Sequence, residues 1–151
     1  MSRPDEGFET FDHTGDLGLT VWAPSRERLF ELAAEALLAQ VARPRAAEDS
    51  GAGHARAAPL KTPLALEGDD PEDLLVHWLN SVLLESALRH ALWMRVRVER
   101  LSDTGITAML EGERLDPARH EFLREIKAVS HHHLALDLTP GACRCRLILD
   151  I

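Results

Sequence analysis

Apolar positions along this chain switch between a period of two and a period near 3.6, and each switch marks an element. FETFD (8–12) and LGLTVW (17–22) read as two short strands. In the second, Leu17, Leu19 and Val21 share one face, while Gly18, Thr20 and Trp22 share the other. So few residues separate the runs that a hairpin is expected, with HTGD as its turn. Ser25 follows as the N-cap of a helix in which Leu29, Leu32, Ala33, Ala36 and Leu37 recur at helical spacing until Val41. Residues 42–58 are small, charged and without apolar period, so they read as a surface loop.

A strand around 60–67 leads into GDDPEDLL, the clearest helix start in the chain. Asp70 is placed as N-cap, Pro71 at the first helical position, and Glu72 and Asp73 in the positive first turn. Leu75, Trp78, Leu79, Val82 and Leu83 then form one broad apolar face. After Leu92 the period returns to two: MRVRVERL alternates with Val96, Val98 and Met94 inward and Arg95, Arg97 and Glu99 outward. SDTG (102–105) is a turn, ITAMLEGERL a strand and DPARHEF a loop. LREIKAVSHHHLALDL holds one or two more strands, and PGA (140–142) turns into the last, CRCRLILDI. The order predicts an α+β fold, an antiparallel or mixed β-sheet carrying two main helices on one face. At 151 residues the chain is sized for one domain, with residues 1–7 as a flexible lead-in.

Composition changes this picture little. No apolar run is long enough to span a membrane, and MSRPDEGFET lacks the apolar segment of a secretory signal, so a cytoplasmic location is expected. A formal net charge of −8 argues against a uniformly basic nucleic-acid surface. Any RNA contact has to be local or made through a partner. Cys143 and Cys145 are spaced to splay along a strand, which suits buried apolar thiols better than a disulfide.

Three stretches carry candidate chemistry. HTGDLGL (13–19) allows two readings: a turn that needs Gly15 and Asp16 for backbone reasons, or a metal site that needs a carboxylate on a rigid element. In the final strand, strict alternation anchors Ile151 by its side chain and sets Asp150 on the polar face. Two carboxylates, that of Asp150 and the α-carboxylate of Ile151, then adjoin, and a third nearby would favour a hard divalent ion. The same pattern also suits a chain that merely stops where its sheet stops. The third stretch is EIKAVSHHH. In a regular strand His131 and His133 face one way and His132 the other, so the three cannot converge on one ion, and the outer pair is solvated. Lys127 and His132 then lie on opposite faces, unless a bulge near 130 intervenes.

Several segments, taken in order, resemble the archease family. HTGDLGL is similar to its H-T-A-D-I-G signature, and DDPEDLLVHWLNSVLLE to its L-L-x-x-W-L-N-x-L-L helix. GERLDPARHE and IKAVSHHHL resemble its G-E-x-x-D-x-x-x-H-E and K-A-V-T-Y-H segments, and RLILDI its V-I-L-D-I ending. Gly15 stands for Ala, Leu17 for Ile, Ser130 for Thr and His131 for Tyr, while His132 keeps the family's His. The resemblance implies a cytoplasmic protein cofactor of the RtcB-type RNA ligase, which seals tRNA halves and repairs RNA with GTP and Mn²⁺. It implies help with ligase guanylylation and repeated turnover, no catalysis by the chain itself, and RNA met only through the ligase. It also implies a divalent site, Ca²⁺ first and Mg²⁺ or Mn²⁺ next, with Asp16, Asp150 and Ile151 as ligands. It makes His13, Lys127 and His132 candidates for an interface with the ligase or for support of that site. A stand-alone metal-dependent phosphoesterase or nuclease and a general chaperone are the rival readings.

Overall fold

The computed structural model describes residues 4–46 and 59–151. Its elements run β1 (Gly7–His13), β2 (Asp16–Ala23), α1 (Arg26–Ala39), β3 (Ala42–Pro44), β4 (Pro59–Glu67), α2 (Pro71–Arg89), β5 (Ala91–Leu101), β6 (Gly105–Arg114), β7 (His120–Phe122), β8 (Ala128–Asp137) and β9 (Cys143–Asp150). The α+β class is as the sequence predicts. The strands, however, make more than one sheet: β1-β2-β9-β8, β4-β6-β5 and a β3-β7 ribbon, with every pairing antiparallel.

The helices do not sit on one face of one sheet. α1 packs on β2 and on β5, and α2 on β8 and on β4 and β5, so each helix touches both larger sheets. One apolar core results, drawing Leu19, Val21, Leu147 and Leu149 from the first sheet and Val96, Ile106 and Leu110 from the second. This explains why α1 buries Leu29, Phe30, Leu32, Ala33, Ala34, Ala36, Leu37 and Leu38, more than a single stripe. Both helix starts are as read from the sequence. Ser25 Oγ accepts from the Arg28 N–H at 3.1 Å and Asp70 Oδ1 from the Asp73 N–H at 2.8 Å. Cys143 and Cys145 are free and buried, and burial pushes the Cys145 thiol up to about 12.

Side chains close two of the sheet edges. On β5, Val96 N–H donates to Glu35 Oε2 at 3.1 Å and Val98 N–H to Glu31 Oε2 at 2.8 Å. Burial raises the pKa of Glu35, against the pull of the Val96 N–H and of Arg28. On β8, Asn80 stands in for a neighbouring strand. Its Nδ2 donates to Val129 O at 3.1 Å, and its Oδ1 accepts from Val129 N–H at 2.8 Å.

Several local expectations are corrected. Met94 is 52% exposed rather than inward, because a bulge between Trp93 and Arg95 breaks the alternation. Residues 42–44 and 120–122, both read as loop, pair as β3 and β7; only their mutual contact gives them regular structure. The rest of the expected 42–58 loop is Arg45 and Ala46 plus residues outside the described ones. Of the expected flexible lead-in, residues 1–3 lie outside the described residues, while Pro4 O accepts from Trp22 Nε1 at 2.9 Å, Glu6 bonds Arg28 at 2.8 Å, and Gly7 begins β1.

Asn80→Ala removes both partners of a backbone unit that is 3% exposed. It is expected to cost about 1–3 kcal/mol in urea unfolding. A variant as stable as the parent would show that β8 does not need this bracket.

Candidate functional site

The geometry begins with one tight turn. Thr14 and Gly15 alone separate β1 from β2, and Gly15 adopts φ 75°, which an L side chain resists. His13 and Asp16 are the closing pair of this hairpin. Leu17 pairs with Leu149 on β9, so one further step of the same register sets Asp16 opposite Asp150. Asp150 in turn pairs with Ala128 on β8. His13, Asp16, Asp150 and Ala128 thus form one row across the sheet, with side chains on a common face.

In that row, His13 Nδ1 lies 3.6 Å from Asp16 Oδ2, within ion-pair range and too long for a hydrogen bond. The nitrogen is buried and has no hydrogen-bond partner. Neither Asp16 nor Asp150 has a Lys or Arg ion-pair partner among the described residues. Two carboxylates facing each other across strands without a cation repel. The donor set is oxygen with one idle imidazole nitrogen beside it, the chemistry of a hard divalent cation site. Among the described residues no three His, Cys, Asp or Glu side chains form a metal-ligating cluster. A cation here would therefore take its remaining ligands from main-chain oxygen and water.

Ile151 is not anchored as its alternation suggested. β9 ends at Asp150, and the Ile151 side chain is 46% exposed. The register explains this: Asp150 already lies level with Asp16 and Ala128, the first residues of β2 and β8, so no strand remains to cover the next side chain. Lys127 is exposed, and its N–H donates to Asp150 O at 2.8 Å, tying it to the site through the backbone.

The histidine stretch departs furthest from a regular strand. Ser130 pairs with Ile148 and Ala135 with Arg146, so residues 131–134 stand against Leu147 alone. Within this bulge His133 takes the left-handed φ of 56°, and His132 N–H donates to Ser130 Oγ at 2.9 Å. Alternation is lost: the His132 and His133 rings lie 3.9 Å apart. His133 also comes within 5.8 Å of the His13 ring, although β2 and β9 separate their strands, so the bulge leans across the sheet. His131 is not merely solvated either, since its Nε2 meets Asp73 Oδ1 at 3.2 Å. Hydrogen bonds to Asp73 from the Asp69 N–H and then from His131 hold its carboxyl below the usual range. His133 is the residue that sequence reasoning missed at this site. Only the unpaired length of β8 relative to β9 could have signalled it, and that is a property of the pairing.

The GERLDPARHE segment is structural. A Cβ on Gly112 would collide with the Leu92 backbone. His120, 4% exposed, accepts from Asp116 N–H at Nδ1 (3.0 Å), so its Nε2 carries the proton and meets Glu113 Oε1 at 2.6 Å. Arg119 Nη2 reaches both Glu113 oxygens, at 3.2 and 3.1 Å. Desolvation raises the Glu113 pKa, but the bonds from His120 and Arg119 outweigh it and leave the carboxyl below its ordinary 4.5.

Comparison with known proteins gives a consistent answer. The model of the archease protein family matches residues 8–151. Protein archease of Methanosarcina barkeri is 30% identical over 155 residues, covering 100% of both chains. That of Methanosarcina mazei is 29% identical over 154 residues, 98% of this chain and 99% of the relative. The solution structure of Methanobacterium thermoautotrophicum protein 1598 superposes with a TM-score of 0.66 at 27% identity, covering 96% of this chain and 99% of that one.

A carboxyl with a depressed folded pKa contributes stability above its unfolded value and loses it as pH falls through the folded one. Glu113→Gln is therefore expected to lower stability at neutral pH and to flatten the decline from about pH 5 to about pH 3. Urea unfolding at each pH reads both effects. Parallel pH curves for the two proteins would show that Glu113 does not shape the acid limb.

Proposed function

The chain belongs to the archease family, and from that premise we propose that it is a metal-binding protein activator of an RtcB-type RNA ligase. It serves tRNA splicing and RNA repair by promoting ligase guanylylation and repeated turnover. The covalent chemistry stays in the ligase, and RNA is met only through it. A cytoplasmic location goes with this role. No helix among the described residues is long and apolar enough to cross a membrane.

The observation that carries the reading is the Leu17–Leu149 register, whose next step sets Asp16 opposite Asp150 at the end of the first sheet, unrelieved by any Lys or Arg ion pair among the described residues. Asp16 and Asp150 would hold a divalent cation, Ca²⁺ foremost, with Ile151 supplying a further oxygen beside them. Such an ion would relieve the repulsion between the carboxylates and supply a positive centre for phosphate or nucleotide groups. The Thr14-Gly15 turn and the β9 register hold the two carboxylates in place, so little ordering is needed at docking. His13 lies beside Asp16, and His133 of the histidine bulge approaches His13 from the β8 side.

Multiple-turnover ligation of RNA halves by the cognate ligase tests the role. Added chain is expected to raise the number of turnovers, and no stimulation by the wild-type protein would overturn the reading. RNA hydrolysis by the purified protein at Asp16-dependent rates would favour the phosphoesterase instead. Separately, Asp16→Asn and Asp150→Asn are each expected to weaken Ca²⁺ binding about tenfold or more in calorimetry. Parental affinity in both would remove these carboxylates from the site.

A further inference from the structure

Seven large apolar residues stay exposed among the described residues, and they are not scattered evenly. Leu84, Leu115 and Phe122 line one open trough of about 560 Å³ between α2 and the segment that follows β7, floored by Leu83 and Ile126. Phe122 is 68% exposed, yet it is not fraying. The residues after it are pinned: Leu123 N–H donates to Val41 O at 2.8 Å, and Arg124 Nη1 to Gln40 O at 2.9 Å. An aromatic carried on a pinned backbone loses only side-chain freedom when covered and belongs to the residue class enriched at protein interfaces.

The trough ends at Lys127, whose N–H bonds Asp150 O, so trough and carboxylate row share a rim. No ion pair engages the Lys127 ammonium among the described residues. Two polar groups of the wall are already used: Asn80 brackets Val129, and Ser86 Oγ donates to Ala91 O at 2.6 Å. Besides the exposed His90 at the α2 end, what remains is hydrocarbon with the Lys127 ammonium at the other end and Glu125 along the side.

We infer that this trough is the docking surface for the ligase, taking an apolar side chain flanked by a carboxylate that meets Lys127. The inference rests on the reading of the previous subsection and adds where the partner binds. The hydrocarbon floor selects an apolar occupant, and Glu125 confines the partner's carboxylate to the Lys127 end. A second copy of the chain is the weaker occupant, because two molecules of net charge −8 repel. Apolar burial in the trough supplies holding energy, while the adjoining charged row supplies orientation.

Phe122→Ser and Leu84→Gln, each in the full chain, are titrated into the ligase by calorimetry and into multiple-turnover ligation. Each is expected to raise the half-saturating concentration about tenfold or more. Ca²⁺ affinity and melting temperature are expected to stay at the parental level, which a misfolded variant would not achieve. Lys127→Met is expected to weaken binding and Lys127→Arg to restore most of it. If the wild type binds and stimulates while both trough variants titrate like it, the docking surface is wrong and the activator reading stands. A wild type that neither binds nor stimulates overturns both. A wild-type dimer that Phe122→Ser dissociates, seen by sedimentation equilibrium, assigns the trough to a second copy and overturns the inference.

Discussion

The candidate site depends on one register, that of β9 against β2 with Leu17 opposite Leu149. Leu147, Leu149 and Cys145 are fully buried on the inner face and fix that register, because a slip of one residue would turn each of them to the other side. The same alternation delivers Asp150 to the outer face beside Asp16. Core packing thus places two carboxylates where their mutual repulsion alone would not. The stability of the buried row offsets the strain of the polar one.

Helix placement follows from the way sheet edges are closed. Glu31 and Glu35 of α1 accept the free N–H groups of β5, and Asn80 of α2 satisfies Val129 of β8. These are specific bonds between a helix and a strand edge, so they set where each helix lies along the sheets as well as that it is buried. Arg28 bonds Glu6, Glu31 and Glu35, which balances the two carboxylates at the β5 edge. By holding β8, Asn80 also holds the start of the histidine bulge and the backbone of the candidate site.

Around the row, polar groups serve different ends. The side chains of Arg119 and His120 both bond Glu113, which ties the segment after β6 back to that strand. The histidines of β8 instead lean outward from a bulge, toward His13 and Asp73, and remain exposed. A metal-like composition is therefore a poor guide by itself. His120 beside Glu113 is structure, while the Asp16 and Asp150 pair, with fewer polar groups around it, is the better candidate for function.

Local patterns were enough to place both helices, their Ser25 and Asp70 caps, the first hairpin and the final alternating strand, since each rests on interactions a few residues apart. The resemblance of motifs is what pointed to Asp16 and Asp150 as residues of one metal site. The sequence could not divide the strands between separate sheets or pair residues 42–44 with 120–122, because those strands gain regular structure only from distant partners. The exposure of Met94 and Ile151 and the bulge at residues 131–134 are of the same kind. Each follows from how many residues one strand spends against its neighbour, and alternation along one strand carries no count of the other.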